Sequence, residues 1–337
     1  MKNRVTLITA ELLVLSIIGA LVGTHASAQT ESTTISGVVL NGTDGFTSVI
    51  GAELSLHVFQ DNMLIDTSVA SVDLHGKFVF DGYASSNGGE LRYILTAMYK
   101  DVPYSVELTH ASTLIDVQLS VYEPTGATDD LSLSNSSIFV MRVDPRKRLV
   151  FVYEMATVAN GGDQAFQPGI AASGTMSLLR FPLPQGATNL EVESELLDGK
   201  ILQIDRGFAL DASIPPGEYG IAFTYLIPYE GTDLALSRRF WAGAGILTIF
   251  VADTVAILEA RDLHNVGSRN IGSTTYNIFS TMNVLKEQRI EMTLTKLPQP
   301  SFFEQIRESI GLGSVSLVVT ATLTISLTTL LFLGLFR

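Results

Sequence analysis

Cysteine is absent from all 337 residues. That removes disulfides, thiolate zinc sites, cysteine nucleophiles and covalent c-type haem attachment together. A body without cross-links needs an apolar core, and roughly 270 residues between the two chain ends can build one or two. Histidine is scarce too, with five in the chain. His25 falls near the N-terminus, and His57, His75, His110 and His264 show no His-x-His or His-x3-His spacing. His57, His75 and His110 could converge from neighbouring strands as a metal site; ordinary surface histidines are the simpler account. No Met-x-x-Met cluster offers copper a thioether site, and dispersed methionines suit core packing. No G-x-S-x-G elbow is present, and Ala171-Ala172-Ser173-Gly174 reads as a loop. There is no D-x-D-x-D-G calcium loop, so Asp61-Asn62 and Asp129-Asp130 read as solvated turns. The expectation is a protein that is not an enzyme and carries no metal and no cofactor.

Cations are in deficit, 21 Lys+Arg against 34 Asp+Glu, for a net charge of −13. Such a surface repels polyanions, so nucleic acid is not an expected partner. Helix-period apolar patterning is missing from the interior, and long apolar runs occur at the two ends alone. Met1–Ala28 combines basic Lys2 and Arg4, an apolar stretch and the small-residue site Ala26-Ser27-Ala28, the three parts of a secretory signal. Ser314–Phe336 is uncharged, and about 20 apolar residues cross a hydrocarbon core of roughly 30 Å as a helix. Residues 299–313 read as a juxtamembrane helix, with a Ser301/Glu304 capping pair and Phe302, Phe303, Ile306 and Ile310 on one side. The expected location is a cell membrane crossed once by the C-terminus, with the bulk of the chain extracytoplasmic.

Between the ends the pattern is β. Leu54, Leu56 and Val58 alternate with outward positions, as do Leu95, Ala97 and Tyr99, and Val117, Leu119 and Val121. Residues 29–123 therefore read as a sandwich of about seven strands. Pro124 and Gly126 break the pattern, making 124–130 a linker. From 131 to 298 further strands alternate, for example Ile290, Met292 and Leu294, punctuated by Pro182, Pro184, Pro215, Pro216 and Pro228. The fold expected is all-β: two tandem β-sandwich domains followed by a single C-terminal transmembrane helix.

Gly37-Val38-Val39, the run Val69–Phe80 and Tyr99–Tyr104 resemble the carboxypeptidase regulatory-like family. The family's T-D-x-x-G-x-F turn is matched by Val72-Asp73-Leu74-His75-Gly76-Lys77-Phe78, with Val in the place of Thr. The resemblance implies a transthyretin-like β-sandwich acting as an accessory module beside catalytic or binding domains, and some relatives bind starch. The second segment looks like the uncharacterised domain that follows such modules in some exported bacterial membrane proteins. That resemblance, carried by Phe181-Pro182-Leu183-Pro184-Gln185-Gly186-Ala187 and Ile214-Pro215-Pro216-Gly217-Glu218, implies company with cytochrome c maturation or copper-handling systems.

Candidate contacts are few. Trp241, the only tryptophan, and Tyr229 are the aromatics able to stack on a sugar ring, Trp241 beside a flexible Ala242–Gly245 stretch and Tyr229 with Tyr225 in a loop. A core anchor is the competing account of Trp241. Arg146-Lys147-Arg148 is the one basic cluster, a hairpin tip suited to an acidic partner or a lipid headgroup. The expected partners are the membrane and other envelope proteins. The expected function is that of a non-enzymatic anchored accessory protein acting through protein contacts. Carbohydrate or cell-envelope binding is the alternative, and metal handling at the outer face a further one. Asn41-Gly42-Thr43 and Asn135-Ser136-Ser137 are glycosylation sequons.

Overall fold

The computed structural model describes residues 33–83, 91–108, 114–170, 176–197 and 199–300. The signal 1–28, the span 314–336 and the juxtamembrane segment from residue 301 onward lie outside them. Among the described residues no helix is long and apolar enough to cross a membrane.

The described residues are all-β. The first unit contains β1 (Thr33–Asn41), β2 (Thr47–Ser48), β3 (Glu53–Gln60), β4 (Met63–Ser71), β5 (Lys77–Tyr83), β6 (Leu91–Tyr99), β7 (Val102–Leu108) and β8 (Val117–Val121). One sheet runs β2–β1–β5 with β8 parallel on β1, and the other runs β4–β3–β6–β7. Period-two alternation sends Leu54, Leu56 and Val58 of β3 inward at 0–1% exposure. They share a core with Ile35, Val39, Phe78, Phe80 and Leu119 of the other sheet. Each such side chain contributes about 1.5–3 kcal/mol when fully buried.

Two turns fix the register. Asp61 and Asn62 both take positive φ, 50° and 63°, between the paired residues Gln60 and Met63. That is the primed two-residue hairpin matching strand twist. At the next corner Asp73 Oδ1 accepts N–H bonds from His75 and Lys77, each at 2.8 Å. Gly76 closes the corner at φ 78°, where a side chain would be strained and would strike Ser48. The backbone donors of Lys77 and then His75 hold the Asp73 carboxyl below its ordinary value.

The segment 124–130 begins as structure, because two residues can pair even where Pro and Gly spoil alternation. Short β9 (Pro124–Thr125) lies parallel to β12 (Ala165–Phe166). Ala165 N–H donates to Glu123 O at 2.9 Å, and Ala165, fully buried, packs into the first core. Glu123 also gathers the first unit. Its carboxylate accepts from Tyr99 Oη at 2.8 Å and from Asn41 Nδ2 at 3.0 Å, and pairs with Lys100. Asn41 is thereby buried, at 7% exposure.

The second unit is larger. It begins with β10 (Leu131–Asp144), β11 (Leu149–Asn160), β13 (Gly169–Ile170), β14 (Met176–Ser177), β15 (Leu179–Pro182), β16 (Thr188–Ser194), β17 (Lys200–Ile204), β18 (Gly207–Asp211) and β19 (Gly217–Pro228). It continues with β20 (Leu234–Phe240), β21 (Ala244–Ala252), β22 (Ile257–Ala260), β23 (His264–Ile271), β24 (Thr274–Val284) and β25 (Gln288–Thr295). A seven-stranded sheet, β16–β19–β11–β10–β21–β24–β23, packs one face against two three-stranded sheets, β15–β18–β17 and β20–β25–β22. Phe181, Phe208 and Phe223 interlock there, the first two stacked at 4.9 Å and 11°. Phe208→Ala is expected to cost about 3–5 kcal/mol by cavity formation. Met282→Ala, at a site 70% exposed, should change stability by less than about 0.5 kcal/mol. Urea unfolding of both variants makes the comparison.

Candidate functional site

Tyr225 and Tyr229 do not share a loop. Tyr229 immediately follows β19 and is 3% exposed; its Oη donates to Pro298 O at 2.5 Å. Its ring is packed in the second core and offers no face to a sugar. Tyr225 lies within β19, also buried, because residues 221, 223, 225 and 227 share the inward face of that strand. Trp241 sits in the turn between β20 and β21, half-buried against the core, with its Nε1 buried and unpartnered among the described residues. The Ala242–Gly245 stretch is ordered: Ala242 and Ala244 are buried, and Gly243 takes φ 74° against Val284 O.

Arg146-Lys147-Arg148 does form the tip of the β10–β11 hairpin. Asp144 Oδ1 accepts from Arg146 N–H at 3.0 Å and Lys147 N–H at 3.2 Å, which pins the turn. The structure brings this tip to Tyr229, whose N–H donates to Arg148 O at 3.0 Å.

The most heavily charged interior feature escaped sequence reading. Glu154 of β11 is 1% exposed and accepts from Tyr225 Oη at 2.5 Å and from Arg238 Nη2 at 2.6 Å. Arg238, of β20, stands over the Phe223 ring at 5.8 Å. Burial pushes the Tyr225 hydroxyl well above its ordinary value, and the Glu154 charge adds to it. The three groups span the seven-stranded sheet and its partner, sealed from solvent, so their chemistry is cohesion. Arg238→Met should cost about 3–5 kcal/mol, because Glu154 is left as an unpaired buried charge. Glu154→Leu with Arg238→Met should recover most of that loss in the same denaturation assay.

Other sequence candidates are dispersed. His57 bonds Thr67 Oγ1 at 3.3 Å and Thr96 Oγ1 at 3.4 Å; His75 lies exposed in its turn and His264 on β23. His110 is outside the described residues. Among the described residues no group of three or more His, Asp or Glu is placed to hold a metal ion.

A concavity lies between the two units. This half-open cleft of about 320 Å³ is lined by Pro103, Tyr104 and Tyr122 of the first, and Pro215, Pro216 and Tyr219 of the second. Small-ligand sites favour such junctions, and this one mixes polar and apolar groups about equally. Tyr104 Oη donates to Tyr122 O at 2.9 Å, and Glu195, also lining the cleft, accepts from Gly220 N–H at 2.6 Å. The only sequence signal was the closeness of Pro and Tyr in Pro103-Tyr104, Tyr122–Pro124 and Pro215–Tyr219. Burial pushes the hydroxyls of Tyr104 and Tyr219 up to about 12. The unfolded chain would lose those protons from about pH 10 while the folded chain keeps them. Stability is therefore expected to fall as pH rises from about 10 to 12, and Tyr219→Phe should flatten that fall in denaturation midpoints measured across the window.

No protein-family model matches the chain, and no curated protein does. Similar solved structures include an M1 zinc metallopeptidase from Deinococcus radiodurans, at 10% identity and TM-score 0.31, covering 49% of this chain and 42% of that one. Another is a candidate nutrient binding protein from Legionella pneumophila, at 11% identity and TM-score 0.28, covering 56% and 73%. The chain thus spans less than half the length of the peptidase. Likeness at this level carries neither an activity nor a ligand across.

Proposed function

We propose that this is an exported, non-enzymatic accessory protein of two tandem β-sandwich modules, held at the membrane by residues 314–336 and acting through protein contacts. The kinship with carboxypeptidase regulatory-like modules belongs to this proposal, supported by the Asp73–Gly76 corner and the two facing sheets of the first unit.

The observation that carries the reading is β4. It pairs with β3 alone among the described residues and ends its sheet. Every position in it is exposed or half-exposed, including Met63 at 71%, Leu64 at 55%, Ile65 at 50% and Val69 at 60%. Natural proteins blunt such edges with Lys, Pro or bulges. Here there is neither Lys nor Pro, and one register shift, between Val58 and Phe59, places a bulge at Ile65. An apolar edge of this kind suits strand addition, in which main-chain bonds bind and side-chain pockets select. The occupant we assign is an extended apolar segment of another envelope protein, with a polar or cationic residue opposite Asp66, the only charge on β4.

The test is capture of partners from cross-linked, detergent-solubilised native membranes. The natural chain should bring down a stoichiometric envelope protein, and Val69→Lys should weaken capture by about tenfold or more. A chain that is always solitary, or a self-associated one with no other protein bound, would count against the reading. A second reading, carbohydrate binding, is favoured by the tyrosine-lined cleft between the units. It requires that glycan retention vanish in Tyr219→Ala and survive in Trp241→Ala.

A further inference from the structure

The basic hairpin tip lies beside the last described residues, 297–300. Arg148 O accepts from Tyr229 N–H, and Tyr229 Oη donates to Pro298 O. Leu297 N–H donates to Thr232 O at 2.8 Å, and Gln299 Nε2 reaches Gly231 O. The 146–148 tip, the 229–233 loop and the departing segment 297–299 therefore form one rim. It stands at the end of β10 opposite to Leu131, and a 14-residue strand separates those ends by roughly 45 Å.

The charge at this rim departs from that of the molecule. Its cations are Arg146, Lys147, Arg148 and Lys296, and its acids Asp144, Glu230 and Asp233, which leaves 4 − 3 = +1 in a chain of net −13. Arg142, set back on β10, and Asp253, just after β21, cancel. Asp144 Oδ1 accepts from the backbone of its own turn, and Arg146 and Lys147 are exposed.

We infer that this rim is a lipid-facing surface, with Arg146, Lys147 and Arg148 seated among anionic headgroups. The inference rests on the reading of 314–336 as the membrane span, and it adds something that reading does not require. Residues 301–313 could, if drawn out, hold the body some 45 Å clear of the bilayer. A seated rim fixes the body upright, since basic residues gain from the negative surface potential only within about a Debye length.

The absence of native cysteine makes the test clean. Single-cysteine variants of the full chain, Thr232→Cys on the rim and Asp61→Cys at the β3–β4 corner, carry a spin label in nanodiscs. Relaxation is read from a nickel-chelating lipid confined to the headgroup layer. With phosphatidylglycerol present, the label at 232 should be relaxed strongly and the label at 61 not at all. Replacing Arg146, Lys147 and Arg148 together by Gln should cut the effect at 232 about tenfold or more, and Lys at all three positions should restore it. Equal insensitivity at 232 and 61 overturns the inference, and so does an effect that survives in pure phosphatidylcholine or in the Gln variant. Alkaline extraction of the same discs reports on the anchor separately. A chain that washes off sinks the span, whereas one that stays while 232 remains unrelaxed sinks the seated rim alone.

Discussion

Glu154 is the constraint on which the second unit turns. A carboxylate in the middle of an apolar sheet costs several kcal/mol unless it is paired and hydrogen-bonded. The pairing it finds, with Arg238 and Tyr225, lies across two sheets. One sheet cannot slide over the other without stranding a charge. The aromatic stack of Phe181, Phe208 and Phe223 packs in the same core.

What could be read from the sequence divides along the same line. Strands with one buried and one wet face announce themselves, as β3 does through Leu54, Leu56 and Val58. Strands without that contrast do not. β23 is exposed at every position and shows no alternation, and β16 has only Leu190 and Val192, half-buried, to alternate with Glu191 and Glu193. β20 was hidden because its inward residue, Arg238, is a cation that only Glu154, 84 residues away, makes tolerable. The candidate site was less legible still. Its tyrosines belong to different units and meet through tertiary packing, whereas Tyr229, prominent as an aromatic near a proline, is consumed by the core. The basic tip was visible as a cluster, yet its nearness to the chain's exit follows from hydrogen bonds that no spacing rule encodes.

The molecule is polar in the architectural sense. The unpaired apolar edge of β4 belongs to the first unit, while the basic rim lies at the end of the second from which the C-terminal segment departs. Between them the junction is stitched by β9 with β12, by Ala165 in the first core, and by Thr43 Oγ1 donating to Asp163 O at 2.5 Å. A stitched junction transmits orientation, so whatever fixes one end constrains where the other points.

One consequence concerns timing during biogenesis. The amide nitrogen of Asn41, the group that would accept a glycan, already donates to Glu123 beneath the Tyr99 hydroxyl. An oligosaccharide could reach it only on a nascent chain, before Glu123 arrives 82 residues later. The more accessible Asn135 has no such clock.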